Sequence, residues 1–154
     1  GLNWLKKETV MHGIMLENVG GYYFDDARVS LGLRKKKVKI KSSFKGKPVI
    51  TVKISAKFAL EEVMRGDIPM VNGKDDYSER SQRLAKKADE YIEQRVRDVF
   101  EAGREKDADL FDFVKMFHKF QNKEYHKYMD SGREVNDLLK DIELKFEIKS
   151  DVEV

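Results

Sequence analysis

Residues Tyr77 to Gly103 read YSERSQRLAKKADEYIEQRVRDVFEAG. Leu84, Ala85, Ala88, Tyr91, Ile92, Val96, Val99 and Phe100 recur at intervals of three and four, with Lys86, Lys87, Glu90, Glu93, Arg97 and Glu101 in most of the gaps. That spacing lays the apolar side chains in one stripe along a helix and turns the charges to water. At 1.5 Å per residue the helix is roughly 40 Å long, about the span of a small domain. Asp76, with Glu79 three residues on, reads as a capping box at its start. Gly103 reads as the left-handed residue that closes its end. A stripe this long must be covered, and only the apolar faces of the remaining elements can cover it.

On the N-terminal side the period changes to two. Val29, Leu31 and Leu33 share one face, and beyond a basic run Val38 and Ile40 resume the pattern between Lys37, Lys39 and Lys41. Lys45-Gly46-Lys47-Pro48 is a turn, after which Ile50, Val52, Ile54, Ala56, Phe58 and Leu60 alternate with Val49, Thr51, Lys53, Ser55 and Lys57. This predicts a long β-hairpin with one apolar and one wet face. Val10 to Leu16 alternates loosely and reads as a further strand, and Gly66, Pro69 and Asn72-Gly73 mark the loop into the long helix.

On the C-terminal side Asp109 is placed to cap a second helix carrying Leu110, Phe111, Phe113, Val114, Phe117 and Phe120. The four phenylalanines are expected in the core, with contact to another domain or subunit as the alternative for some of them. Gln121-Asn122 interrupts that helix, and Tyr125 and Tyr128 continue it as a short piece. Ser131 and Glu134 read as another capping box, ahead of a helix running to about Leu139. The last strand sets Ile142, Leu144, Phe146 and Ile148 against Glu143, Lys145, Glu147 and Lys149. Strands first, helices next and a strand last argue an α+β fold. The expected form is a mostly antiparallel sheet, with the long amphipathic helix and the shorter helices packed on one face. The final strand would lie beside the hairpin, its Glu143 and Glu147 meeting lysines across the pair.

Composition narrows the chemistry. The 154 residues suffice for one domain with a core, and the absence of cysteine excludes disulfides and thiolate metal sites. No apolar run of about 18 residues is present to cross a membrane as a helix. The net charge of +3 conceals an asymmetry: residues 27–60 hold eleven Lys/Arg and no Asp/Glu, whereas residues 61–154 hold eighteen basic and twenty-four acidic groups. Lys35, Lys37, Lys39, Lys41 and Lys53 therefore form a candidate membrane- or partner-facing surface. Such a surface suits anionic lipid headgroups, an acidic protein or nucleic-acid phosphates, or is simply a solvated sheet face. No aromatic residue interleaves with residues 34–43, which argues against single-strand binding. On one continuous helix His118 and His126 would be about 12 Å apart, too far to share a metal. Asp107, Asp109 and Asp112 lack the glycine and closing glutamate of a calcium loop. No catalytic constellation or phosphate loop is visible, so no enzyme activity, cofactor or metal is expected.

The run Asp109-Leu110-Phe111-Asp112-Phe113-Val114-Lys115-Met116-Phe117-His118-Lys119-Phe120 resembles the D-I-F-G-F-G-x-x-I-H-R-K motif of the Ger(x)C lipoproteins, the C subunits of bacterial spore germinant receptors. The basic hairpin with its Gly46-Lys47-Pro48 turn is similar to the family's K-I-K-x-x-x-x-x-G-K-P segment, and Gly1-Leu2-Asn3-Trp4-Leu5 to its G-L-x-W-L stretch. Departures are Asp112 and Val114 for the motif's glycines, Gln121 and Asn122 where a proline is usual, Tyr125 for a tryptophan, and a missing Cys-Pro. The resemblance makes Asp109, Phe111, Phe113 and His118 structural motif residues. It implies that residues 1–154 are the single C-terminal, third domain of a lipoprotein, with Gly1–Lys7 a linker helix from the preceding domain. The signal peptide and lipidated cysteine would lie upstream, leaving this fragment soluble by itself. The whole protein would sit on the outer face of the spore inner membrane, beside integral-membrane subunits of the same receptor. Its role would be non-catalytic, in receptor assembly and germination. The alternative from another class is a small basic-faced nucleic-acid-binding domain.

Overall fold

The computed structural model describes residues 13–17, 19, 28–64 and 77–154. The expected capping residue Asp76, the loop through Gly66, Pro69 and Asn72-Gly73, the start of the first strand and the linker helix Gly1–Lys7 lie outside the described residues.

The period-two segments form one four-stranded sheet in the order β1-β2-β3-β4. β1 (Gly13–Leu16) pairs antiparallel with β2 (Arg28–Lys45), Gly13 opposite Gly32 and Leu16 opposite Val29. β3 (Lys47–Met64) follows β2 through Gly46, whose φ of 85° is a conformation that glycine adopts without a Cβ penalty. The Arg34–Glu61 ion pair, 3.5 Å, joins the open ends of this hairpin, as antiparallel pairing requires. β4 (Glu143–Glu153) lies beside β3 as expected. The pairs Lys47–Glu143 at 2.6 Å and Lys53–Glu147 at 3.1 Å advance in the same direction along both strands, so this last pairing is parallel and the sheet is mixed. Both expected glutamates thus meet lysines.

β2 does not keep one phase. Val29, Leu31 and Leu33 are buried, Arg34 and Lys35 are both exposed, and thereafter Lys36, Val38 and Ile40 turn partly inward. A strand of period two changes face in this way only when one residue drops out of the alternation, as in a β-bulge. β3 holds its phase from Ile50 to Phe58.

α1 (Tyr77–Glu105) carries the expected stripe: Leu84, Ala88, Ile92, Val96 and Phe100, every fourth residue, are at most 3% exposed. Gly103 does not close this helix, which runs on to Glu105. The closing residue is Asp107, at φ 54°. The Ala108 N–H donates to the Gly103 carbonyl at 2.8 Å and the Asp107 N–H to the Arg104 carbonyl at 3.2 Å, the paired bonds of a Schellman motif. Gly103 is needed for space, because a Cβ there would stand 2.7 Å from the Ala108 carbonyl oxygen.

Three shorter helices follow: α2 (Phe113–Phe120), α3 (Asn122–Asp130) and α4 (Val135–Asp141). The break at Gln121-Asn122 falls as expected. The cap of α4 differs from expectation. Glu134 and Asp137 form its capping box, the Glu134 N–H donating to Asp137 at 2.9 Å, while Ser131 donates to the Tyr128 carbonyl at 2.6 Å and closes α3. Gly132, at φ 89°, separates the two helices, so one Ser-x-x-Glu box cannot span them.

The chain divides into two compact units, to each of which β2, β3, α1 and β4 contribute a part. In the unit holding residues 38–53 and 93–147, Ile50, Val52, Val96, Phe100, Phe113, Phe117, Leu138 and Leu139 are buried. Phe44 meets Phe117 and Tyr128 edge-on at 5.5 and 5.9 Å. Arg104 lies over the Phe100 ring and donates to the Ile142 carbonyl at 2.6 Å, tying the end of α1 to the start of β4. In the unit holding residues 28–37, 54–64, 77–92 and 148–154, together with β1, the buried set is Ile14, Leu16, Val29, Leu31, Leu33, Ile54, Phe58, Leu84, Ala88, Ile92 and Val152. There the Ser81 hydroxyl donates to the Val152 carbonyl, joining α1 to β4.

Candidate functional site

The wet face of the sheet carries the candidate residues. Lys35, Lys37, Lys39 and Lys41 are exposed, as the alternation predicts. Lys53 is not a free cation: the Glu147 carboxylate lies 3.1 Å from its ammonium. Lys35 and Lys37 line a cleft of about 280 Å³ with Ser55, Ala56, Lys57, Lys149 and Asp151. Among the described residues none of its four lysines, nor Asp151, forms an ion pair. Four ammonium groups against one carboxylate leave a strongly positive concavity. Lys36 points the other way, partly inward, and burial pushes its pKa down. Lys57 and Lys149 were absent from the sequence-based candidates. Each is in the outward set of its own strand, but only the placement of β4 beside β3 gathers them with Lys35 and Lys37.

Of the motif residues, Asp109, Phe111 and Phe113 lie at or just before the start of α2. The Asp109 carboxylate accepts from the Phe113 and Val114 N–H groups, each at 2.9 Å, and so caps α2 as expected. Burial raises its pKa, and these two hydrogen bonds offset part of the rise. The helix begins later than the apolar run suggests, at Phe113, because Asp112 stands in the left-handed region (φ 58°, ψ 31°) where the resembling motif has glycine. Phe113 and Phe117 are fully buried and Phe111 is half-buried against Phe113, with ring centres 5.2 Å apart. Phe120 departs from the expected core: it is 61% exposed, because α2 ends there and its last side chain passes the edge of the covered face.

His118 is exposed, and its carbonyl accepts from the Asn122 side chain at 3.0 Å. The Gln121 break invalidates the continuous-helix spacing, for the His118 and His126 ring centres are only 5.7 Å apart. The Tyr128 hydroxyl donates to Asp141 at 2.6 Å, and burial followed by this carboxylate pushes its pKa up to about 12. Among the described residues no group of three or more His, Cys, Asp or Glu is arranged to hold a metal, and no helix is long and apolar enough to cross a membrane.

A mixed four-stranded sheet, a long amphipathic helix and shorter capped helices define an α+β domain with a basic outer sheet face. The family described as "Spore germination B3/GerAC like, C-terminal" matches residues 1–154, and the chain belongs to that family. Among solved structures it is similar to the crystal structure of the GerBC protein, with a TM-score of 0.72 and 17% identity over 98% of this chain and 43% of that one. At that identity the likeness concerns the fold, and this chain spans less than half the length of the GerBC chain. A search of curated proteins finds no match.

Proposed function

We propose that this chain is a non-catalytic interaction domain of a spore nutrient-germinant receptor C subunit, acting in receptor assembly and germination. It is the C-terminal, third domain of a longer lipoprotein, held at the outer face of the spore inner membrane by lipid attached elsewhere. Its partners are the integral-membrane subunits of the same receptor. Family membership supplies the context. The observation that carries the docking mechanism is the cleft whose lysines lack counter-ions among the described residues. A lysine already neutralised within the protein has little left to offer a partner, whereas these four do. Adjacent to an anionic membrane surface each well-placed lysine contributes about 1 kcal/mol, falling off with salt.

The test is binding to vesicles with and without anionic lipid across a salt series, for the wild type and for K35Q/K37Q/K57Q/K149Q. The expected result is binding that requires anionic lipid, fades with salt and weakens by roughly two to three orders of magnitude in the variant. No binding at low salt would overturn a lipid-facing role and move the search for the docking surface to the helices.

A further inference from the structure

We propose that His118 and His126 form a two-imidazole site for a divalent transition-metal ion of the zinc or copper type. The two residues are eight apart in sequence and would not meet on a straight helix. α2 stops at Phe120, Gln121 takes φ −122° and ψ 49°, and α3 starts at Asn122, so the chain folds back at an elbow. The His118 and His126 ring centres are then 5.7 Å apart with planes at 76°. Two imidazoles bonded through nitrogen to one zinc ion at about 2.0–2.1 Å, at an angle near tetrahedral, have ring centres roughly 5–6 Å apart. The observed separation lies within that range, and both side chains are exposed.

The elbow is held in place without the metal. The Gln121 amide donates to the Ser42 carbonyl of β2 at 3.1 Å, and the Asn122 amide donates to the His118 carbonyl at 3.0 Å. Tyr125 packs against His118 and His126, ring centres 4.8 and 5.6 Å apart, and restricts where the rings can lie. The Lys119 ammonium is turned onto the Phe120 ring at 5.2 Å. With no third protein ligand among the described residues, water completes the coordination, so the site is open and exchangeable. Imidazole donors select zinc, copper and nickel over magnesium or calcium. A bound ion would clamp α2 to α3.

The test is titration of the chain with ZnCl2 and separately with CuCl2, followed by calorimetry, by histidine ring proton signals and by thermal unfolding. The expected result is saturable one-to-one uptake at about pH 7.5 and a rise in the melting temperature. H118A and H126A should each weaken uptake at least about 10–100-fold, more than the loss of a mere supporting group. Both substitutions are on the surface, and unchanged circular dichroism would establish that the variants fold. Absence of saturable uptake, or uptake that persists in H118A/H126A but vanishes in H12A, would overturn the proposal.

Discussion

Lys47 and Lys53 near the start of β3 are each held by a glutamate of β4, whereas Lys57 farther along the same strand shares a cleft with Lys35, Lys37 and Lys149. The alternation that turns these lysines outward is the same. The difference lies in what β4 presents. Where it offers Glu143 and Glu147 the charge is used within the protein; where it offers Lys149, four lysines share the cleft with one carboxylate, Asp151, and among the described residues none of them forms an ion pair. An outward lysine is thus a ligand candidate only after its cross-strand neighbour is known.

The comparison implies that the first stretch is secured by the apolar residues of its own unit and that the cleft contributes little to stability. The largest test is Phe117→Ala. The ring is fully buried, so the change is expected to cost about 3–5 kcal/mol in a urea melt. Lys57→Gln with Lys149→Gln, in the same assay, should stay within about 0.5 kcal/mol of wild type. A larger loss would make the cleft structural and break the contrast.

Asp109→Ala removes the acceptor for two backbone N–H groups at the start of α2 and is expected to cost about 1–2 kcal/mol. Asp109→Asn should cost less, because it keeps an acceptor and discards a charge that burial disfavours. The sign of its pH dependence follows. A folded pKa above the unfolded value of 3.8 means that the folded state takes up the proton first, so this group favours folding more as pH falls through the raised pKa. Urea melts of wild type and Asp109→Asn between about pH 7 and pH 4 measure the difference, which should shift further in favour of wild type on acidification.

Asp112→Gly relieves a left-handed aspartate and sacrifices only an exposed ion pair to Lys115, for an expected gain of about 0.5 kcal/mol in thermal or urea unfolding. The smallest effect is expected for Glu143→Gln. Lys47 holds the Glu143 pKa below 4.5, so the pair favours folding at neutral pH, and its contribution is lost as pH falls through that lowered pKa. Wild type and variant should differ slightly near pH 7 and converge in acid. An acid-insensitive difference would show that Lys47 does not use Glu143 as proposed.

The sequence by itself determined the elements whose information is local. The fourfold recurrence from Leu84 to Phe100, the alternation from Ile50 to Phe58 and from Ile142 to Ile148, and the Asp109 cap all depend on residues a few positions apart, and all are present. Tertiary structure decided what depends on register and on chain reversal. It set the parallel pairing of β4, the phase slip after Leu33, the transfer of the α1 cap from Gly103 to Asp107, the exposure of Phe120, and the approach of His118 to His126. It also decided which lysines are neutralised and which line the cleft, because that depends on which residue of a distant strand comes to lie alongside. Periodicity states which face a side chain takes; its neighbours there are chosen by the packing of segments far apart in sequence.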